Sequence, residues 1–313
     1  MRGRSAGVVV VSIVMVLLMT GVSAVAWAVM TEANGPVQVR DATGRLVRLP
    51  APARRVVSLS PHLTELLFAA GAGEWLVGVA EYSDYPPTAL RLPTVSGAGR
   101  LDLERIVALR PDLVVAWGGG LSSAQLERLR HLGLVVYVSE PHLIPDIAAE
   151  LRRLGQLVGT ESTANAAAAD FLTELAALRV QYSARPAVTV FYQVWGRPLV
   201  TLGSEHLVSR VIELCGGRDV FAEGGGLAPT VSIEAVLVRD PEVIVASGMD
   251  AHRPAWLEDW RAWPRLVAVR QDNLFDIPPS LIQRYTPRLL AGARMLCGAL
   301  EVARHKRLGL PAR

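Results

Sequence analysis

From Val56 onward, short apolar runs alternate with stretches whose apolar residues recur every three or four positions. That alternation predicts an α/β fold built in layers. Val56 to Ser60, Val77 to Ala80, Leu113 to Trp117 and Leu134 to Val138 read as strands. Thr64 to Ala70, Leu103 to Leu109, Gln125 to Leu132 and Ile144 to Leu157 read as the helices between them, ended by glycine or by an X-Pro pair. Ser162 to Ser183 then runs without Gly or Pro, with Ala164, Ala167, Ala168, Phe171, Leu175 and Leu178 at helical spacing. This predicts one helix of about 20 residues, about 30 Å long. After Pro186 the alternation restarts, with strands at Val188 to Tyr192, Val243 to Ser247 and Leu274 to Ile277 and helices at Leu207 to Leu214 and Pro287 to Ala303.

The two halves echo each other. Leu103 to Ala116 and Ile233 to Ala246 each hold an acidic helix start, an apolar stripe, a proline stop and a buried strand. Their separation of about 130 residues is too long for a solenoid repeat and suits two similar lobes. The expected architecture is therefore two Rossmann-like α/β lobes joined by one long rigid helix. The boundaries are 31–52 for a lead-in with a turn at Asp41 to Gly44, 53–159 for the first lobe, 160–185 for the linking helix, 186–304 for the second lobe and 305–313 for a tail.

The first 30 residues change the picture of where this fold works. Arg2 and Arg4 precede an apolar stretch from Val8 to Met19, and Ala26-Trp27-Ala28 reads as a small-x-small cleavage site. Gly7 to Met30 is also long enough to remain as a membrane anchor. Both readings put the folded part outside the cytoplasm, and with no Cys near that boundary no lipid attachment is expected there. In an oxidising compartment Cys215 and Cys297, the only two cysteines, are either bridged or two buried thiols. A net charge of +3 and the lack of a basic run with interleaved aromatics give no case for a nucleic-acid partner, and none is expected.

Several motifs carry a resemblance to a known family. They are Ser58-Leu59-Ser60-Pro61 with Thr64-Glu65, Tyr82-Ser83-Asp84-Tyr85-Pro86-Pro87, and Leu103 to Asp112 followed by Ala116-Trp117. Leu214-Cys215-Gly216-Gly217, Val231 to Glu234 and Thr286-Pro287-Arg288 follow in the second half. In this order, over Arg54 to Ala303, the chain resembles the vitamin B12-binding members of the two-lobed, rigid-helix periplasmic binding proteins. The resemblance implies an extracytoplasmic, non-catalytic subunit that captures cobalamin or a related corrinoid, needs no cofactor of its own, and passes its cargo as a monomer to the membrane permease of an ABC importer.

The resemblance also implies roles. Glu104 and Glu234 match acidic residues that dock on the transporter; by themselves they are also ordinary acidic helix starts. Tyr82 and Trp117 match residues lining the cleft, Trp117 at the carboxyl end of a strand, where open α/β sheets bind ligands; core packing is its other reading. Arg284 matches an arginine of the second-lobe loop, with a solvated loop charge as the alternative. Cys215 and Cys297 match the family's disulfide. The chain departs from the pattern where two cleft tryptophans become Ala98 and Ala228 and an acidic, aromatic run becomes Ser280 to Gln283. Tyr192 and Trp195 are expected to restore aromatic surface.

Rival readings keep the fold and carry heme, an iron-siderophore or a bare metal ion, the last with His62, His142, His206 and Glu205 or Asp276 as candidate ligands. A membrane-tethered interaction domain or a hydrolase would be a different class. No nucleophile elbow, phosphate loop or zinc-protease helix is present, and Ser58, Ser60 and His62 are better explained as turn and cap residues.

Overall fold

The computed structural model describes residues 35–97, 100–248 and 253–309. The apolar leader and residue Ala98 lie outside them. The expected lead-in is an antiparallel hairpin, β1 (Val37–Arg40) and β2 (Leu46–Leu49), closed by Asp41, whose Oδ1 accepts from the N–H of Thr43 and Arg45 at 2.9 and 3.0 Å. It is tied to the first lobe, since Ala42 N–H donates to the Val138 carbonyl.

The first lobe continues with β3 (Val56–Ser58), α1 (Pro61–Ala69), β4 (Leu76–Ala80), β5 (Thr94–Gly97), β6 (Arg100–Leu101), α2 (Leu103–Ala108), β7 (Leu113–Trp117), α3 (Ser123–His131), β8 (Val136–Ser139) and α4 (Asp146–Val158). Its sheet has the order β6-β5-β4-β3-β7-β8 and is parallel except for the β5–β6 pair. Helix α5 (Glu161–Tyr182) follows, 22 residues long. The second lobe holds β9 (Val188–Gln193), α6 (Leu207–Leu214), β10 (Gly217–Asp219), α7 (Ile233–Arg239), β11 (Val243–Ala246), α8 (Val267–Arg270), β12 (Leu274–Asp276), α9 (Pro279–Ile282) and α10 (Leu289–Arg307). Its sheet, β10-β9-β11-β12, is wholly parallel and separate from the first.

Parallel strands covered by helices on both faces read as unbroken apolar runs, and β7 and β11 do so because their central residues are fully buried. Helix α5 is a packed joint. Ala164, Ala168, Phe171, Leu175 and Leu178 are buried on one stripe, and through them a single apolar core runs from Leu63 and Leu151 in the first lobe to Val208 and Leu296 in the second. The close approach of α4 and α5 depends on Gly155, where a Cβ would stand 2.3 Å from that of Ala164. Each lobe has its own further core on the opposite face of its sheet.

The internal echo reaches the backbone. Asp102 and Ser232 cap α2 and α7, accepting from the N–H of Arg105 and Ala235. Arg110 and Asp240, each just before a proline, are left-handed with φ of 45° and 40°. Two residues on, Asp112 accepts from the N–H of Arg54 and Arg55, and Glu242 from that of Thr189, each at 2.9 Å. Each half thus ties its repeat unit to the start of its first lobe strand in the same way. The sequence pattern did not predict β5, β6, β10, α8 or α9, which are too short to show a period.

Candidate functional site

The carboxyl ends of both sheets carry the expected aromatic and charged residues, and a web of small polar side chains fixes them. Ser58 Oγ donates to the Ser60 carbonyl at 3.1 Å, Thr64 Oγ1 donates to Ser58 Oγ at 2.9 Å, and Thr64 shares a 3.0 Å hydrogen bond with Ser83. This web ties β3 and α1 to the loop after β4. The loop needs that support, because Tyr82 sits at φ 63°, a costly conformation for a bulky residue, and the residue is 74% exposed.

Trp117 is the last residue of β7, paired across the ladder with Ser139. Its indole lies over Gly119 and Gly120, and a Cβ at Gly120 would come within 2.6 Å of it. The glycines let the ring lie flat along the loop and leave it 37% exposed. Its edge meets His62, with ring centroids 5.4 Å apart and planes at 87°. His62 Nδ1 is 2.6 Å from Ser60 Oγ, and its Nε2 is buried without a hydrogen-bond partner.

Burial first, and the nearby Arg284 charge second, push the His62 pKa from 6.5 down to about 3. Between those values the unfolded chain binds a proton that the folded one refuses. The contribution of His62 to stability is therefore complete above about pH 6.5 and is lost as pH falls toward 3. His206, pushed by burial down to about 4, acts in the same direction. Asp219, raised by burial to about 6, acts in the opposite one. Replacing His62 with Leu is expected to flatten the fall in unfolding free energy below neutral pH by about 1.4 kcal/mol per pH unit. Urea denaturation at stepped pH measures this, and an unchanged slope contradicts a neutral buried imidazole.

One residue expected in the cleft is placed otherwise, and for another the alternative reading falls. Tyr192, paired with Val245 across the β9–β11 ladder, is fully buried in the core shared by the lobes, its hydroxyl beside Ser247 and Gln283, and burial raises its pKa to about 12. It therefore offers no aromatic surface: β9 is covered on both faces, Tyr192 facing the core shared by the lobes and Phe191 the second lobe's own core, and the next exposed aromatic ring is that of Trp195, held by Nε1–H donation to the Arg197 carbonyl at 3.0 Å. Arg284 is not a solvated loop charge. Its Nη1 donates to Glu65 Oε1 and Asp84 Oδ1, both at 2.7 Å, and its Nη2 to the Tyr82 carbonyl at 3.3 Å. Arg288 reaches the same Glu65 oxygen at 3.3 Å and lies 3.9 Å over the ring of Tyr85. Tyr285 donates to the His142 carbonyl at 3.3 Å. The second lobe thus touches the first through Arg284, Tyr285 and Arg288.

The pattern of the periplasmic binding protein family matches residues 56–281. The vitamin B12-binding protein of Vibrio cholerae is 39% identical over 262 residues, 83% of this chain and 94% of that protein. The chain belongs to the periplasmic binding protein family. Among solved structures, the periplasmic vitamin B12 binding protein of Vibrio cholerae superposes on this periplasmic binding protein with a TM-score of 0.75 at 38% identity, covering 81% of this chain and 98% of that one. The heme-binding protein of Roseiflexus sp. RS-1, in apo form, superposes at 0.71 with 24% identity, covering 80% and 99%, which is a likeness of fold.

In this periplasmic binding protein Glu104 and Glu234 are exposed in the first turns of α2 and α7. Hydrogen bonds from its own backbone N–H and from Ser232 hold the Glu234 carboxyl below its usual range. Cys215 and Cys297 form a disulfide between the end of α6 and the middle of α10. The histidines considered for a metal do not converge: no group of three or more His, Cys, Asp or Glu side chains suited to a metal occurs among the described residues. Nor is any helix among them long and apolar enough to cross a membrane. A concavity of about 660 Å³ beside Ile233, between residues 196–199 and Trp256 to Trp263, is lined by the second lobe alone. Family motifs contain Glu65 and Asp84, but no role attached to them. The sequence signal for Glu65 was a carboxylate set among Leu63, Leu66 and Leu67, an apolar helix face where a charge requires a partner from elsewhere.

Proposed function

We propose that this protein captures cobalamin or a related corrinoid outside the cytoplasm, between its two lobes, and delivers it to the membrane permease of an ABC importer. The observation that carries this is the 39% identity to a vitamin B12-binding protein along 94% of that protein's length. The exposed rings of Tyr82 and Trp117 at the carboxyl ends of the first sheet, with Trp195 from the second, supply flat apolar surface for a macrocycle. Arg284 supplies hydrogen-bond donors for its amide or phosphate oxygens. Capture is non-catalytic, by a monomer with no resident cofactor, and the energy for import comes from ATP hydrolysed elsewhere in the transporter.

Titration calorimetry with cyanocobalamin tests this reading: saturable one-to-one binding is expected. Absorption spectra with heme and with zinc run beside it, and binding of heme in place of the corrinoid sinks the cargo assignment.

Glu104 and Glu234, at equivalent positions of the two lobes, are the docking pair for the two halves of the permease. Replacing both with alanine is expected to leave cyanocobalamin affinity unchanged and to weaken binding to the reconstituted permease at least about tenfold, read by surface-immobilised binding. Loss of cargo binding with docking intact contradicts that role.

A further inference from the structure

Glu65 is a first-lobe carboxylate whose ion pairs both come from the second lobe. It lies on α1 between leucines that are fully buried, its own side chain is 2% exposed, and its Oε2 is buried without a hydrogen-bond partner. Asp84, the other carboxylate on Arg284, is 52% exposed on the loop after β4. The two partners of one guanidinium therefore differ in what they lose when the lobes part. Glu65 would be left as a buried, unpaired charge, a costly state. Asp84 would return to water at little cost. The Tyr82 carbonyl, third acceptor of Arg284, belongs to the same loop as Asp84, and Arg288 packs over Tyr85 at the far end of that loop.

We propose that Glu65 is the fixed anchor of a latch between the lobes and Asp84 its exchangeable half. Cargo oxygens replace Asp84 and the Tyr82 carbonyl on Arg284 while Glu65 keeps its hold. The exchange rests on the cargo reading above; the anchor does not. Glu65 acts through Arg284 and Arg288, so it is a positioning residue. It sets how far the second-lobe loop can withdraw and where Arg284 points. The acceptors it favours in cargo are amide carbonyl or phosphate oxygens, which match the geometry vacated by a carboxylate and a peptide carbonyl.

The test uses the full protein with spin labels at Leu90→Cys and Leu227→Cys, both exposed and one on each lobe; the native cysteines are bridged and do not take label. Without cargo, Glu65→Gln is expected to lengthen and broaden the inter-lobe distance distribution, whereas Asp84→Asn leaves it unchanged. With cyanocobalamin, Asp84→Asn is expected to tighten binding about threefold, and Glu65→Gln to weaken it about tenfold or more. A merely structural Glu65 would lower stability without this split between the two carboxylates. If Glu65→Gln does not fold, Arg284→Gln reads the same lengthening from the other side. A distance distribution unmoved by loss of the Glu65–Arg284 pair, or weaker cargo binding in Asp84→Asn, overturns the proposal. If wild-type protein binds no cyanocobalamin while the distances still respond, the cargo reading and the exchange fall and the anchor stands.

Discussion

Trp117→Ala is expected to weaken cyanocobalamin binding about 30-fold, equivalent to about 2 kcal/mol, while the unfolding temperature stays within a few degrees of wild type. Trp117 ends a fully buried strand, yet the residue itself is 37% exposed and its ring rests on a glycine loop, so removing it leaves a shallow depression and no sealed cavity. Little of its value goes into folding, and a partly exposed aromatic face at the carboxyl end of the first sheet is available to be covered by a macrocycle. The substitution also uncovers His62, whose low pKa depends first on burial. Trp117→Phe, which keeps an aromatic face against His62, is expected to retain most of the affinity. Calorimetry decides: equal affinity in wild type and Trp117→Ala removes the residue from the binding surface, and a collapse of the unfolding temperature moves it into the core.

Loss of the disulfide is expected to cost about 4 kcal/mol of stability and leave cargo affinity at 25 °C unchanged. The bridge closes a loop with a sequence separation of 82, and in the chain-entropy view that loop is what the unfolded state gains when the bond is cut. Cys215 and Cys297 are both fully buried and pack against the core shared by the two lobes. The double Cys215→Ala, Cys297→Ala variant removes the bond without burying a new hydroxyl. At about 2 to 4 °C per kcal/mol for chains of this order of size, the unfolding midpoint should drop by roughly 10 °C. Scanning calorimetry with and without reductant measures it, and a wild-type midpoint indifferent to reductant means the bridge contributes nothing. The bridge lies in the core, Cys215 Sγ against the Ala293 carbonyl, while Tyr82, Trp117 and Trp195 are exposed, which is why affinity should survive.

The layered α/β fold and the linking helix were legible in the sequence because each rests on local periodicity. Buried parallel strands leave unbroken apolar runs, and α5 shows as 22 residues without Gly or Pro carrying one apolar stripe. Glu104 and Glu234 were legible as a pair because the chain repeats its own pattern, down to left-handed residues before Pro111 and Pro241. Tyr192 was misread because an aromatic near a strand end carries no local sign of burial, and β9, a central strand between β10 and β11, is covered on both faces, so neither face was open to a cleft.

The amino-acid sequence by itself determined the lobes, their linker, the paired acidic helix starts and the candidate aromatic wall, since these depend on residue type and spacing along the chain. Only the tertiary structure decided that Arg284 is held by Glu65 and Asp84, 219 and 200 residues earlier, and that His62 lies against Trp117. Those contacts join segments far apart along the chain, and a buried charge chooses its partner by where the fold brings one within reach.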